Sequence, residues 1–224
     1  MQIGVLGSTG PAGSALAARL ASLGHQVVLG SRDAQRAEAV RVELVERWPD
    51  HDLSGLSAAD NAGAAAAEVV VVATPWDGAA PTVTALREAL SGKVVISMAN
   101  ALTRVGKEFQ PLIPPRGSVA ADVAAAVPDA KVVAAFQHVP AAELGDLDHE
   151  VDCDVMICSD HADARKVATE LVEDIPGMRA ANAGRLTAAG AIESLTAILI
   201  GMNVRYKTRL SIRIAGLPDD HGER

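Results

Sequence analysis

The stretch GVLGSTGPAG, residues 4–13, connects an apolar run at the amino terminus to a helical pattern. Its glycines, Gly7, Gly10 and Gly13, are spaced as GxxGxxG. Gly7 and Gly10 allow a tight turn and a close approach of the backbone to a pyrophosphate, and Gly13 lets the helix pack against the strand. Pro11 suits the first helical turn, where its missing N–H costs little. The stretch therefore predicts a dinucleotide-binding unit, and the alternative is a plain glycine-rich turn.

Apolar runs alternate with helical patterns along the rest of the chain. The runs predicted as strands cover residues 2–6, 26–30, 69–73, 93–97, 131–136 and 154–159. Helices are predicted near residues 11–23, 33–47, 58–67, 78–90, 118–127 and 161–174. Most of the strands are continuous Val and Ile runs, which indicates burial on both faces. Strands that alternate with helices predict an α/β fold with a Rossmann-type doubly wound parallel sheet.

The pattern changes after about residue 182. Residues 190–207, GAIESLTAILIGMNVRYK, form the longest apolar helix candidate, and it is apolar on more than one face. Such a helix is buried or lies in an interface. We therefore expect a dinucleotide-binding Rossmann domain over 1–182 and a small C-terminal helical segment over 183–224, with a homodimer as the assembly. The polar tail, residues 217–224, is expected to be frayed.

Composition argues against several function classes. The net charge is −8, whereas a general nucleic-acid binder carries a basic surface. No apolar run reaches the roughly 18 residues of a membrane span, and the amino terminus lacks the plan of a signal peptide. We therefore expect a cytoplasmic protein whose partners are small molecules. Cys153 and Cys158 are the two cysteines of the chain, and there is no second pair to complete a metal site. We therefore expect core residues there rather than a redox or metal site.

The end of the second predicted strand carries LGSRDAQR, residues 29–36. An NAD site usually has an acidic residue there, which holds the ribose 2′-hydroxyl. This chain has Ser31 and Arg32 instead, with Arg36 one turn later, while Asp33 is placed to cap the next helix. An arginine fork and a hydroxyl suit a phosphate dianion. These residues predict NADP rather than NAD, and the alternative is two solvated arginines beside a capping serine.

Several further segments, taken together with LGSTGPAG and GSR, resemble those of a known family: LGHQVVLGSR, TPWD, FQHVPA, NAGRL and ESLTAILI. They are similar to the reduced coenzyme F-420:NADP oxidoreductases, which pass hydride between an 8-hydroxy-5-deazaflavin and NADP. The resemblance spans nearly the whole chain. The combination of TPW, FQHVPA and ESLT is more specific than the glycine loop, which many NADP proteins share.

The resemblance implies two neighbouring cofactor sites. Its NADP side comprises Gly7, Ser8, Thr9, Gly10, Pro11, Ala12, Gly13, Ser31, Arg32, Arg36, Thr74, Pro75, Trp76 and Asn100. The deazaflavin is expected over the nicotinamide, between the sheet and the C-terminal helix, near Gln137, His138, Val139, Pro140, Glu193, Ser194 and Thr196. Some members of the family carry His where Gln137 stands and Arg where Gly190 stands.

Some of these residues also have purely structural alternatives: a turn for Pro75 and Asn100, packing for Trp76, a backbone hydrogen bond for His138, and helix capping or a buried hydrogen bond for Glu193, Ser194 and Thr196. Hydride passes directly between the cofactors in that family, so no catalytic residue and no metal is assigned. Two other functions fit the sequence. One is an NADP-dependent reductase of similar fold that acts on an imine, flavin or ferric substrate. The other is a protein that senses NADP without chemistry, although such a protein needs no second ligand surface.

Overall fold

A computed structural model describes residues 1–218, so the predicted frayed tail lies outside it from residue 219 onward. Within that range the chain forms an eight-stranded sheet with helices on both faces, and a separate two-stranded hairpin. The strands are β1 (Gln2–Leu6), β2 (Gln26–Ser31), β3 (Leu56–Asp60), β4 (Val69–Val72), β5 (Val94–Ser97), β6 (Leu102–Val105), β7 (Glu108–Pro111), β8 (Lys131–Ala134), β9 (Cys153–Ser159) and β10 (Met178–Asn182).

The order of the large sheet is β10-β9-β8-β5-β4-β1-β2-β3. Its segment β3-β2-β1-β4-β5-β8 is parallel throughout and has the order of a dinucleotide-binding doubly wound sheet. This confirms the predicted fold class. The sheet differs from the predicted parallel arrangement at one edge, where β9 runs antiparallel to β8. The connection between them contains only a four-residue helix in place of the longer helix that usually crosses over between parallel strands.

The helices cover both faces of the sheet. They are α1 (Pro11–Ser22), α2 (Ala34–Arg47), α3 (Asn61–Ala64), α4 (Trp76–Ala85), α5 (Arg87–Leu90), α6 (Val119–Ala126), α7 (Ala141–Leu144), α8 (Ala162–Glu173) and α9 (Ala189–Tyr206), with a 3-10 turn at Leu186–Ala188. Asp33 caps α2 as predicted, because its carboxylate accepts a hydrogen bond from Gln35 N at 2.9 Å.

Two apolar clusters lie on the two faces of the sheet. Val69 and Val71 of β4 belong to one cluster, and Val70 and Val72 belong to the other. A strand buried on both faces explains the continuous valine run. Cys153 and Cys158 are fully buried in β9 with free thiols, which confirms them as core residues. Burial raises the pKa of Cys158 to about 12, so this thiol stays protonated.

The predicted helix over 58–67 is wrong. Residues 56–60 form the edge strand β3, which pairs with β2. Asp60 then accepts a hydrogen bond from Gly63 N at 2.7 Å, so a helix begins only at Asn61 and lasts one turn. Alanine favours helix, but intrinsic propensity is a weak preference that tertiary pairing overrides. Here the segment pairs with the otherwise open edge of β2 and therefore forms a strand.

The sequence patterns also missed β6, β7 and β10. The hairpin of β6 and β7 turns at Gly106, which has φ +62°. β10 has the sequence MRAAN, without the β-branched and aromatic residues that mark strands. The helix predicted over 78–90 begins earlier, at Trp76, and is interrupted at Leu86 into α4 and α5.

The helix predicted over 190–207 is present as α9. Together with the 3-10 turn, Leu186–Tyr206 is the one helix of the described residues that is long and apolar enough to cross a membrane by length and composition. The run-length criterion applied to the sequence did not detect it. A single such helix is weak evidence for a span, and Leu186, Ala189 and Ile192 pack into the second apolar cluster of the sheet domain.

After α9 the chain turns at Lys207, which has φ +52°. Residues 208–218, here named the C-terminal strap, then run along β9. Asp154 N donates to Ile212 O at 2.7 Å. The buried carboxylate of Asp154 accepts hydrogen bonds from Arg179 Nε (2.7 Å), Arg213 Nη1 (2.7 Å) and Ile214 N (2.6 Å). A buried carboxylate thus joins β9, β10 and the C-terminal strap.

Candidate active site

The glycine loop between β1 and α1 has no room for a side chain at two of its glycines. Gly7 has φ +73°, and a Cβ there would lie 2.9 Å from Thr74 Cα. A Cβ on Gly13 would lie 3.0 Å from Ser8 Cα. At Gly10 the nearest neighbour of a Cβ would be Gly7 O at 3.7 Å, so the loop is open on that side. The first turn of α1, whose N–H groups lack intrahelical partners, begins at this open side.

The other residues of the loop differ in exposure. Ser8 is fully buried, and its N and Oγ both donate to Gly30 O at 3.0 Å. Ser8 therefore ties the loop to β2, and its side chain faces the core. Thr9 and Ala12 are half-buried and Pro11 is exposed, so part of each residue is accessible to a ligand.

The end of β2 presents two cations beside this loop. Ser31 is buried, and its Oγ accepts a hydrogen bond from Asp33 N at 3.4 Å. Arg32 and Arg36 are exposed, and neither guanidinium has a hydrogen bond or ion pair within residues 1–218. Arg36 lies in the first turn of α2, where a positive charge opposes the helix dipole. An anionic ligand would compensate both features.

Three predicted residues from three elements meet at one carbonyl. Asn100, which follows β5, donates from Nδ2 to Gln137 O at 2.9 Å. Thr196 of α9 has its Oγ1 3.1 Å from Gln137 O and 3.2 Å from Asn100 Oδ1. We name Asn100, Gln137 and Thr196 the strand-end cluster. It joins the C-terminal helix to the edge of the sheet where doubly wound folds bind ligands.

The side chain of Gln137 is buried without a protein partner. It is 3% exposed, and both its Nε2 and its Oε1 lack a hydrogen bond within the described chain. An unsatisfied buried amide costs free energy, so it indicates a ligand that completes its hydrogen bonds. The preceding Phe136 has φ +68°, a left-handed conformation that is costly for a bulky residue and is found mainly at functional sites.

His138 is buried against β9. Its Nε2 accepts a hydrogen bond from Met156 N at 3.2 Å, which places the ring proton on Nδ1. Burial lowers the pKa of His138 to about 4, so the imidazole is neutral at pH 7. Nδ1 has no hydrogen-bond partner within residues 1–218. His138 can therefore offer a neutral N–H donor but not an imidazolium.

The two polar residues that open the ESLT segment are engaged with the protein. Glu193 Oε2 accepts from Val119 N at 2.9 Å and its Oε1 accepts from Ala120 N at 3.1 Å, both at the amino end of α6. Burial raises the pKa of Glu193 to about 7, and the two backbone hydrogen bonds oppose that shift. Ser194 donates its hydroxyl to Gly190 O within α9 at 2.7 Å. Contacts of these residues with a deazaflavin stay predictions.

The remaining predicted residues lie at the ends of β4 and β8. Thr74 packs on Gly7, and its Oγ1 is buried without a partner in the described chain. After β4, Pro75 precedes α4, and Trp76, the first residue of α4, packs on the second apolar cluster. After β8, Val139 and Pro140 precede α7. The sequence reasoning missed Ser97, whose buried Oγ also lacks a partner within residues 1–218. Its signal was a serine that ends an apolar strand.

Comparisons with known proteins show the family to which the chain belongs. Residues 2–101 match a family model described as NADP oxidoreductase coenzyme F420-dependent. The F420-dependent NADP reductase of Methanocaldococcus jannaschii is 39% identical over 97% of this chain and 99% of that protein. The chain belongs to the F420-dependent NADP reductase family. The reductase of the same name from Methanothermobacter marburgensis is 37% identical over 98% of this chain and 100% of its own length. A crystal structure from Arthrobacter sp. FB24, provisionally named as such a reductase, has TM-score 0.79 and 29% identity, covering 96% of this chain and 99% of that one.

The residues present fit the two cofactors of an F420-dependent NADP reductase. The open side of the glycine loop would receive the NADP pyrophosphate, and Arg32 and Arg36 would receive its 2′-phosphate. The unpartnered amide of Gln137 suits a ligand that both donates and accepts hydrogen bonds, as a carboxamide or a pyrimidine-like ring does.

The backbone around Gly190 leaves no room for a side chain. A Cβ on Gly190 would lie 2.4 Å from Gly117 O, so α9 and the loop before α6 are in close backbone contact. A side chain at position 190 requires these two segments to move apart.

Proposed function

We propose that the protein transfers hydride reversibly between reduced coenzyme F-420 and NADP. The observation that carries the proposal is the strand-end cluster, in which Thr196 of α9 reaches the sheet edge at Asn100 and Gln137 O. This contact gives the chain a second ligand surface beside the NADP loop. A protein that only senses NADP has no use for such a surface.

The two cofactors supply the carbon atoms that give and receive the hydride, so the chain needs no acid, base or metal for that step. Its residues bind the two cofactors, orient them and shield them from water. Thr9, Gly10, Pro11 and Ala12 hold the pyrophosphate, with Gly7 and Gly13 shaping their loop and Ser8 anchoring it. Thr74, Pro75, Trp76 and Asn100 form the floor for the nicotinamide end, and Gln137, His138, Val139 and Pro140 face the deazaflavin with Ser194 and Thr196.

NADP is the nicotinamide cofactor in this proposal because of the end of β2. Ser31, Arg32 and Arg36 stand where an acidic residue would repel a 2′-phosphate. Hydrogen bonds to charged groups contribute about 1.5–3 kcal/mol each, which is enough to discriminate NADP from NAD.

The chain is proposed to act as a cytoplasmic homodimer in which the segment from residue 183 onward completes the second-cofactor site. α9 leaves large apolar side chains exposed, and the loop that follows the adjacent hairpin adds one more: Ile198 (59%), Val204 (60%), Tyr206 (70%) and Ile113 (84%). Large apolar side chains exposed on one element and its neighbour are typical of an interaction site when they form one surface, and we infer that these do. A second copy of the chain is the partner that would cover the same surface on both molecules.

The experiment that tests the function mixes the protein with reduced coenzyme F-420 and NADP and follows NADPH absorbance. The reverse reaction is followed with NADPH and oxidised coenzyme F-420. We expect turnover in both directions and much weaker turnover with NAD. Turnover of imine, flavin or ferric substrates without turnover of the deazaflavin would contradict the proposal, as would tight NADP binding without any reaction.

A further inference from the structure

One side of α9 joins this helix to three other parts of the molecule. Gly190, Glu193 and Thr196 are spaced by three residues and lie near each other on the helix surface. Gly190 touches the backbone of Gly117, as described above. One turn further, Glu193 binds the amino end of α6. Thr196, one turn further again, binds at the strand-end cluster.

The amino end of α6 has two separate caps. Ser118, the residue that precedes the helix, accepts a hydrogen bond from Ala121 N at 3.0 Å. Glu193 accepts the two remaining hydrogen bonds, from Val119 N and Ala120 N, and it comes from another helix. The first cap is local to α6. The second connects α6 to α9.

A helix cap alone does not require a buried carboxylate such as that of Glu193. Its side chain is 4% exposed, and burial of a carboxylate opposes its ionisation. Ser, Thr, Asp and Asn cap helices locally without crossing to another element. The distant carboxylate therefore indicates a role in the placement of α9, which Ser118 cannot perform.

We propose that Glu193 is a positioning residue that fixes the depth and rotation of α9, so that Thr196 reaches Asn100 and Gln137 O. The inference rests on the proposed function in one respect, namely that the second cofactor binds at the strand-end cluster. Because both carboxylate oxygens of Glu193 already bind α6, its effect on that cofactor passes through Thr196 in this proposal.

The kinetic test compares Glu193→Gln with Ser118→Ala. Gln keeps one acceptor but turns an NH₂ group toward a backbone N–H, so the connection to α6 is weakened. We expect Glu193→Gln to raise KM for reduced coenzyme F-420 by about tenfold, the equivalent of one hydrogen bond, with a smaller change in kcat and no change in KM for NADP. Ser118→Ala removes the local cap of the same helix and should leave both KM values unchanged.

The second readout is amide hydrogen exchange in the ligand-free protein. Glu193→Gln should accelerate exchange in α9 around Thr196, whereas Ser118→Ala should accelerate exchange at Ala121 and leave α9 unaffected. This measurement does not depend on hydride transfer. If the wild-type protein transfers no hydride, the proposed function fails, and exchange in α9 still decides the role of Glu193.

Equal kinetic and exchange changes in the two variants would show that Glu193 is only a cap, and would overturn the proposal. Unchanged KM for the deazaflavin and unchanged α9 exchange in Glu193→Gln would overturn it as well. If Glu193→Gln does not fold, Glu193→Asp replaces it, because the shorter side chain keeps the charge but reaches less far. The same increase in KM and the same faster exchange in α9 are then expected, and their absence overturns the proposal.

Discussion

At the scale of single residues, the site is marked by polar groups that the protein leaves without protein partners. Arg32 and Arg36 stand in solvent at the end of β2, and the amide of Gln137 is buried with no hydrogen bond in the described chain. Such groups lower the stability of the ligand-free protein or contribute nothing to it. The ligands of the proposed function would explain their place in the fold.

Replacement of Arg32 and Arg36 by Ala tests recognition of the 2′-phosphate. Because each charge-assisted contact contributes about 1.5–3 kcal/mol, we expect KM for NADP to rise at least tenfold per substitution, while the weak activity with NAD stays the same. Arg41→Ala is the matched control, since Arg41 lies on the same helix and pairs with Glu38. Equal losses with NADP and NAD would contradict the assignment.

Gln137→Leu tests whether the buried amide serves a ligand. Leucine has a similar volume and removes two unsatisfied polar atoms, so the melting temperature of the ligand-free protein should stay the same or rise. KM for the deazaflavin should rise by about tenfold or more, since the lost contacts are made only with ligand. Thermal melts and steady-state kinetics measure the two effects. A large loss of stability with unchanged KM would show that Gln137 is structural.

At the scale of elements, the sequence predicted the parts of the chain whose signals are local. The glycine loop, the valine runs and the Asp33 cap depend on neighbouring residues, and all three are present as predicted. β3 and β10 depend on pairing with a strand distant in sequence, and their alanine-rich sequences carry no strand signal of their own. The strand-end cluster likewise joins residues up to 96 positions apart, so its members were named by resemblance and not by spacing.

The C-terminal strap depends on Asp154. Burial opposes ionisation of this carboxylate, but the hydrogen bonds from Arg179, Ile214 and Arg213 outweigh burial and hold its pKa well below the ordinary value. A depressed folded pKa means that the carboxylate contributes its stability fully above the unfolded pKa near 3.9, and loses it only as pH falls through the lower folded value.

Asp154→Asn should therefore lower the free energy of unfolding by roughly 3 kcal/mol at pH 7, because it removes the buried negative charge that Arg179 and Arg213 bind. The loss should be constant between pH 5 and 8 and should disappear in strong acid. Asp152→Asn is the control, since Asp152 is exposed and its pair with Arg213 is worth at most about 1 kcal/mol. Urea unfolding at several pH values measures the free energy of unfolding of both variants. Equal effects of the two substitutions would contradict the account.

At the scale of the whole molecule, α9 contributes to the fold and also to the proposed site and assembly. Its residues Ile192, Glu193 and Thr196 are buried against the sheet domain, while Ile198, Val204 and Tyr206, toward its carboxyl end, remain exposed. The buried residues carry the proposed second-cofactor site, and the exposed ones are the surface assigned to the proposed dimer.

Ile198→Glu tests the assembly. A charge at the centre of an apolar interface is strongly unfavourable when buried, so we expect the wild-type dimer to become a monomer. Val42→Glu, on the exposed side of α2, is the control and should leave the dimer intact. Sedimentation velocity measures the masses. A wild-type monomer, or a wild-type protein that binds to lipid vesicles through this helix, would contradict the proposed dimer.

The most direct test of the central claim follows the hydride itself. Reduced coenzyme F-420 that carries deuterium at both positions of carbon 5 is mixed with the protein and NADP in ordinary water, and the NADPH produced is analysed by mass spectrometry. The account predicts that one deuterium atom appears in the nicotinamide ring, because the two cofactors bind side by side and exchange hydride directly. NADPH without deuterium, or no NADPH at all, would contradict it.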